Sequence, residues 1–531
     1  MTRSRAEADS IWGREFGQLD VLARNISMDY LAIGIDMLIG IVMLPFNIAH
    51  LGQSTYGLWV LIASITMYFS MLDLGYGVAQ VKFASEYRAR RDSPGLNQIV
   101  SSLFFFFCLV GLAAFAIGAL LAFNLQRFLN ITPAQAGMGR DALLIISAYI
   151  ALGFPASVFG GIVNGFQRHY LNGFVSISSS IVVAVVNVAV LLSGYGLIEL
   201  IAATTAVRVL SYVGYAMNAY RAYPGLRIRP SNVRLARLKE VTGFSAFILL
   251  IDIANKVNYS ADAIVIGAFM STIAIAVWAV AKRLVDATQL ITGQLNGVMF
   301  PIVVDTATLG QRDRLRKLFM QGTRISLAMV IPLATGLALL AEPLVMAWVG
   351  PDFAGSVPVI YILAIAVAIR VGNSTATTVL KGSGHHRLLA GSNLLIALAN
   401  LMLSLFLVRR LGLIGVALGT MVALGTVSIL VLFPAACRRV GLSIGEMLKH
   451  AVWPAIWPAL AMALFLTITR RFISVNLPAV AAQAMAGGLI YLVVFLGLAI
   501  SQEERRWYIA KLKQLIRRQD AYDTVSELRT I

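Results

Sequence analysis

The sequence predicts an all-α, polytopic membrane protein of about 14 transmembrane helices, and three observations carry that reading. Of 531 residues, 59% are hydrophobic and only 13% charged, where a soluble domain has roughly half and a quarter. Apolar runs long enough to cross a bilayer recur along nearly the whole chain, and a span needs about 20 such residues. Lys and Arg, finally, gather in alternate loops between those runs, the pattern that fixes orientation in a membrane.

In chain order, the runs fall near 26–48, 54–80, 97–123, 141–164, 173–194, 196–219, 241–268, 272–303, 323–349, 357–380, 389–408, 412–436, 451–469 and 478–500. With the amino terminus inside, 31 of the 43 Lys and Arg lie in cytoplasmic segments, 6 in external ones and 6 in or at the edge of helices. An even number of spans then places both termini in the cytoplasm. In a soluble protein a net charge of +18 suggests nucleic acid, but this placement assigns the excess to topology and to anionic lipid heads, so no nucleic-acid partner is expected. The dense clusters are Lys82 with Arg88, Arg90 and Arg91; Arg221 to Lys239; Arg312 to Lys317; and Arg505 to Arg518.

Cys108 and Cys437 sit within or at the end of apolar runs and make no disulfide frame. The first 25 residues lack the short apolar core and small-residue cleavage site of a removable signal. Ile11, Trp12, Phe16 and Leu19 there, and Trp507, Ile509, Leu512, Leu515 and Ile516 at the other end, are spaced as in helices lying on the inner membrane surface.

A duplication is visible. Gly52 and Trp59 in LGQSTYGLWVLIA match Gly267 and Trp278 in IGAFMSTIAIAVWAVA; GFQRHYL from Gly165 matches GSGHHRL from Gly382; GLIELIAATT from Gly196 matches GLIGVALGTM from Gly412. Paired halves of this kind are how many transporters build alternating access. The expected organisation is a cytoplasmic segment 1–25, a first lobe of six spans 26–219, a basic cytoplasmic linker 220–240, a second lobe of six spans 241–437, two further spans in 438–500 and a cytoplasmic amphipathic tail 501–531.

Charge inside a bilayer costs about 3 kcal/mol or more, so the cations within spans carry information. They are Arg208, Lys256, Lys282, Arg283 and Arg370. At 100° per residue, polar stripes run along span 1 (Asn25, Asp29, Asp36, Gly40, Asn47), span 7 (Asp252, Asn255, Lys256, Tyr259, Asp262) and span 8 (Lys282, Asp286, Gln289, Gly293, Asn296). Asp252 with Lys256, and Lys282 with Asp286, stand four apart and either neutralise one another or serve a site. Arg208, Arg283 and Arg370 suit an anionic ligand, since guanidinium matches phosphate oxygens. Asp36, Asp73, Asp252, Asp262 and Asp286 either balance cations or carry a coupling proton or sodium ion. Pro45, Pro155, Pro301, Pro332 and Pro343 predict bends. His169 and His386, at matching loops, lack a third ligand, so no metal is expected, and no other cofactor is. No phosphate-binding GxxxxGK[ST] occurs and external loops are short, which argues against nucleotide hydrolysis and against an enzyme.

The runs LGQSTYGLWVLIASITMYFSMLDLGYGVAQVKFASEY, DAIVIGAFMSTIAIAVWAVAKRLVDATQLITGQLNGVMFPIV and VLKGSGHHRLLAGSNLLIALANLMLSLFLVRRLGLIGVALGT resemble the polysaccharide transporter family, which includes the Wzx-type oligosaccharide flippases of the multidrug, oligosaccharidyl-lipid and polysaccharide exporter superfamily. The resemblance covers roughly residues 20–440 and the last two spans also fit. It implies two six-helix bundles around a cationic cavity and transfer of a polyprenyl-diphosphate-linked oligosaccharide from the inner to the outer leaflet of a bacterial plasma membrane. The expected diphosphate ligands are Arg208, Lys256, Arg283 and Arg370, with Lys282 beside them; Asp36, Asp252 and Asp286 are the counter-charges or coupling groups. Expected partners are the lipid-linked oligosaccharide, membrane lipids and a polysaccharide polymerase or co-polymerase. The competing readings are a multidrug exporter, which wants an acidic chamber, a peptidoglycan-precursor flippase, and a membrane glycan polymerase or ligase.

Overall fold

Long apolar runs leave the backbone no partner but itself, and the chain answers with helices throughout. The computed structural model describes residues 2–73, 75–239, 241, 261–472, 475–500, 502 and 505–506, with residues 2–23 as helical backbone only. Asp252, Lys256 and most of the expected seventh span therefore lie outside the described residues, as do nearly all of the carboxyl-terminal tail and the side chains of the amino-terminal segment. Eleven helices among the described residues are long and apolar enough to cross a membrane. One of them, His386–Val440, has 55 residues, about 80 Å at 1.5 Å per residue, against a hydrocarbon core of about 30 Å. Gly412, at φ 57° and ψ −133°, divides it into two helices, at the boundary expected between two spans.

The described helices form two units. The first holds Met1–Val280 with Asn393–Gly419, the second Ala281–Ser392 with Thr420–Ile531. In the first, α1 (Thr2–Leu51), α2 (Gln53–Met67), α3 (Tyr76–Arg90), α4 (Ser93–Phe123), α5 (Pro133–Gly165), α6 (His169–Leu192) and α7 (Leu197–Ala222) follow in order. The core lies between α3, α4 and α5, around Phe83, Leu103, Phe107, Val158 and Ile162. Inside a bilayer no hydrophobic force separates helix from lipid, so close packing of small residues holds such helices together. A Cβ on Gly111 of α4 would stand 2.3 Å from the Ala151 carbonyl oxygen of α5, and one on Gly118 would stand 2.1 Å from Ser147 Oγ. Gly111→Val must push backbone away from backbone, and we expect it to lower stability by about 1–3 kcal/mol, read as a fall in Tm of the detergent-purified protein.

The basic linker was expected as a lipid-facing connector, and the structure adds a tie. Asn97, Ser101 and Ser102 form one strip of α4, and each holds the linker backbone from both sides. Asn97 donates to the Gly225 carbonyl and accepts from Arg227 N–H; Ser101 donates to the Arg227 carbonyl and accepts from Arg229 N–H; Ser102 does the same with Arg234. Leu226 and Val241 are buried in the core, and the Arg237 guanidinium reaches the Tyr87 hydroxyl at 2.6 Å. Arg227, Arg229, Arg234 and Lys239 remain exposed.

The second unit comprises most of α8 (Thr272–Thr308), then α9 (Arg312–Leu339), α10 (Ala341–Trp348), α11 (Ser356–Gly372), α12 (Ser374–Gly382) and the ends of α13 (His386–Val427). After a π turn over Ser428–Leu432 come α14 (Phe433–Val440), a second π turn over Leu448–Val452, α15 (Pro458–Thr469) and α16 (Leu477–Val494). Val379, Leu380, Phe319, Ala436 and Met447 pack around the buried Cys437. Both cysteines are free thiols.

The duplication reappears in hydrogen bonding. Before α6, Arg168 N–H donates to the Val163 carbonyl and Gln167 N–H to that of Asn164; before α13, His385 N–H donates to Leu380 and Gly384 N–H to Lys381. Each partner stands 217 residues from its counterpart. Both turns need a left-handed residue, which is Gly384 at φ 82° in one and Gln167 at φ 61° in the other.

Candidate functional site

Of the three polar stripes, that of span 1 divides into structural and available members. Asn25 is buried and clamps the turn before α6: its amide donates to the Gln167 carbonyl at 3.0 Å, and its oxygen accepts from Tyr170 N–H at 2.9 Å. That clamp holds Gln167, the non-glycine residue in the left-handed region, and it removes Asn25 from the list of cavity residues. Asp36, by contrast, is exposed on α1. Asp73, one of the carboxylates expected to balance cations or to carry a coupling ion, accepts from Gly77 N–H at the start of α3, with both oxygens 3.1 Å away. Asp262 is buried, with 4% of its surface exposed.

Along α8, Lys282 and Asp286 form the ion pair, at 2.5 Å, with 26% and 41% of their side chains exposed. At helical spacing four and in partial contact with solvent such a pair contributes a few tenths of a kcal/mol. Its larger effect is electrostatic, because the charges of Lys282 and Asp286 offset one another within this turn of α8. Arg283 and Arg370 are both half-buried in the second unit. Further along the stripe, Asn296 accepts from the Thr378 hydroxyl at 3.4 Å, which ties α8 to α12.

In the first unit Arg208 is exposed on α7, one turn from Tyr212. The Tyr212 and Tyr149 rings are stacked, 5.7 Å between centroids and 6° between planes. Tyr212 and Tyr215, both half-buried, complete an aromatic surface beside the guanidinium. Sequence reasoning counted Arg208 but missed the tyrosines, since Tyr149 comes from another helix. Arg324, which sequence reasoning did not single out, lies in α9 and is buried, with 6% of its surface exposed. Among the described residues no group of three or more His, Cys, Asp or Glu could hold a metal ion.

The duplicated segments around Gly52 and Gly267 meet within the first unit. Ser54 and Thr272 share a hydrogen bond of 3.2 Å, and the Gln135 amide donates to both hydroxyls, at 2.6 and 2.9 Å. Gln135 is itself fixed by a capping box with Thr132. A Cβ on Gly57 would stand 1.8 Å from the Thr272 carbonyl oxygen, so only glycine lets α2 and α8 approach this closely. Asn130 N–H donates to the Gly267 carbonyl at 2.9 Å, and the Arg409 guanidinium lies 5.0 Å from the Phe269 ring centre. Ser54 and Thr272 are 218 residues apart, close to the offset of the duplication, so near-equivalent positions of two repeats bond to each other.

Comparison with known proteins agrees with this architecture. Residues 51–358 match the model of a family described as polysaccharide biosynthesis protein. The succinoglycan biosynthesis transport protein ExoT of Rhizobium meliloti is 25% identical over 283 residues, which cover 51% of this chain and about half (54%) of ExoT. EpsK of Bacillus subtilis, an uncharacterized membrane protein, is 21% identical over 92% of this chain and 98% of its own. Among solved structures, the lipid II flippase MurJ in an inward closed conformation superposes with a TM-score of 0.69 at 16% identity, covering 88% of this chain and 97% of MurJ. An inward-facing multidrug resistance MATE transporter gives 0.62 at 14%, covering 78% and 98%; at these identities the likeness is one of fold. With more than half of its length matched by the family model, the chain belongs to the polysaccharide biosynthesis protein family.

Proposed function

We propose that this chain moves a polyprenyl-diphosphate-linked oligosaccharide from the inner to the outer leaflet of a bacterial plasma membrane by alternating access, for assembly of a surface polysaccharide. The observation that supports this reading is the placing of guanidiniums on long apolar helices with part of their surface accessible: Arg208 exposed on α7, Arg283 and Arg370 half-buried on α8 and α11. Ordinary membrane helices exclude such groups because desolvating charge is costly. Guanidinium pairs with phosphate through two parallel hydrogen bonds, so an anionic head is the ligand these positions suit. The flat faces of Tyr149 and Tyr212 offer a stacking surface for sugar rings beside Arg208.

In this reading Lys256 serves the diphosphate head as well, residues 26–219 and 241–437 act as the two lobes, and both termini lie in the cytoplasm. The Ser54, Gln135 and Thr272 contact then lies at the external end and closes it, leaving the inner side as the route of entry. Asp286 serves coupling: a proton or sodium ion on its carboxylate releases Lys282 from its pair. Asp36 and Asp252 balance the remaining charge, and no other cofactor is required. A multidrug exporter fits less well, since cationic drugs are repelled by the same groups. The name of ExoT, a transport protein of succinoglycan biosynthesis, supports the choice of substrate class, and a polymerase or co-polymerase is the partner that would receive the product.

Vesicles containing the purified protein and a fluorescent undecaprenyl-diphosphate oligosaccharide test the proposal. Exchange of the probe between leaflets should be fast with protein and absent without it. Equal exchange in protein-free vesicles would remove the flippase reading.

A further inference from the structure

The basic linker that follows α7 is held at a definite depth, and α4 sets that depth. With 31 residues, α4 is about 46 Å long, some 16 Å more than a hydrocarbon core of about 30 Å. Its large exposed hydrophobics run from Leu109 to Phe123, so the carboxyl-terminal part is immersed and the surplus lies at the start. Asn97, Ser101 and Ser102 fall in that surplus, and the linker backbone is tied to them. On α7 the exposed apolar side chains Leu210, Val213 and Met217 give way to Tyr220 and Arg221, a change of residue type that marks the edge of a bilayer. Both helices thus place the linker in the head-group layer.

Residues 220–239 contain six Lys and Arg and no Asp or Glu. Over 226–229 the side chains alternate: Leu226 is buried and Ile228 packs on the same core, while Arg227 and Arg229 are exposed. Arg229 is extended, at φ −141° and ψ 144°, and side chains two apart on an extended chain share a side at a spacing of about 6.5 Å. Their backbone is fixed. Arg227 N–H donates to Asn97 at 2.9 Å, and Ser101 donates to the Arg227 carbonyl at 3.3 Å while accepting from Arg229 N–H at 3.2 Å. Arg237 is engaged with the Tyr87 hydroxyl, and Arg234 turns one nitrogen to the Ser231 and Val233 carbonyls. A topology signal needs charge alone; it does not call for two neighbouring arginines on a backbone fixed from both directions.

We infer that Arg227 and Arg229 form a saturable site for the phosphate head of an anionic glycerophospholipid. The paired guanidiniums take the phosphate oxygens through charge-assisted hydrogen bonds, and Leu235, 68% exposed in the same linker, meets the acyl region below. The site is separate from the proposed transport residues, and its test does not depend on flipping.

Delipidated protein in detergent would be titrated with phosphatidylglycerol, with phosphatidylcholine of the same acyl chains and with a polyprenyl diphosphate, counting bound lipid by native mass spectrometry. One phosphatidylglycerol per chain should bind about tenfold or more tightly than phosphatidylcholine, and added salt should weaken it. Arg227→Gln with Arg229→Gln should bring the two lipids within about twofold of each other. Arg312→Gln with Arg314→Gln removes two exposed cations from α9 and should leave the preference intact. Asn97→Ala keeps every charge but releases the Arg227 amide, and it should lower the preference several-fold. The Tm of each variant without lipid, close to that of the parent protein, shows that the fold is kept. Equal binding of the two phospholipids, a preference that survives loss of Arg227 and Arg229, or one unchanged by Asn97→Ala overturns the inference. Tighter binding of the polyprenyl diphosphate at these arginines overturns the choice of occupant.

Discussion

A chain carrying Ser54→Cys and Thr272→Cys, with Cys108 and Cys437 replaced by alanine, is expected to cross-link on mild oxidation and to lose all transport, which reduction should restore. The two hydroxyl oxygens are 3.2 Å apart, and disulfides need Cβ atoms about 3.5–4.5 Å apart, so sulfurs at these positions come within bonding reach. If the chain works by the proposed alternating access, this end opens in every cycle, and no substrate binding energy opposes a covalent bond. Each single cysteine should transport almost normally, because losing one hydroxyl pair costs only about 1 kcal/mol. Replacing Gly57 has the opposite effect. Gly57→Val drives its side chain into the Thr272 carbonyl, and it should hold the segments apart and raise labelling of Ser54→Cys by a membrane-impermeant maleimide. If the oxidised double cysteine transports at full rate, these segments do not separate and the gate lies elsewhere.

The second large effect is expected at the arginines. Arg283→Ala and Arg370→Ala should each slow transport by roughly 10–150-fold, the equivalent of about 1.5–3 kcal/mol for a charge-assisted hydrogen bond to phosphate. Lysine at either position should recover only part of the loss, since it keeps the charge but not the paired donors. Lys282→Ala tests a different matter. Removing the ammonium that Asp286 pairs with at 2.5 Å should lower thermal stability and transport together, whereas loss of a group that serves only the ligand should lower transport alone. Leaflet exchange and Tm measured on the same preparations separate the two cases.

What the sequence disclosed follows from which forces are local. Hydropathy and loop charge are properties of contiguous residues, so membrane helices, the break near Gly412 and the match of GFQRHYL with GSGHHRL could be read directly. The pair Lys282 with Asp286 was one of two open readings, because helical spacing shows that the groups can meet but not that they do. The sequence put Asn25 on a polar stripe and Asp73 among the carboxylates that balance cations or couple, and showed neither the clamp of Asn25 on a turn 142 residues away nor the bond from Gly77 N–H to Asp73. Side-chain to backbone bonds of that range leave no periodic trace. The docking of the linker on Asn97, Ser101 and Ser102, the stacking of Tyr149 on Tyr212 and the depth of Arg324 were invisible for the same reason. Asp252 and Lys256 fall outside the described residues, so their expected roles rest on the sequence.

The account depends on intramembrane arginines recognising a diphosphate. The most direct test is to load vesicles with two probes that share one glycan and one polyprenyl chain, one joined through a diphosphate and one through an uncharged ether, and to compare their leaflet exchange. The wild-type protein should move the diphosphate probe at least tenfold faster, and the double variant Arg283→Ala with Arg370→Ala should erase that difference. A wild-type protein that moves both probes equally, or a double variant that keeps the preference, would contradict it.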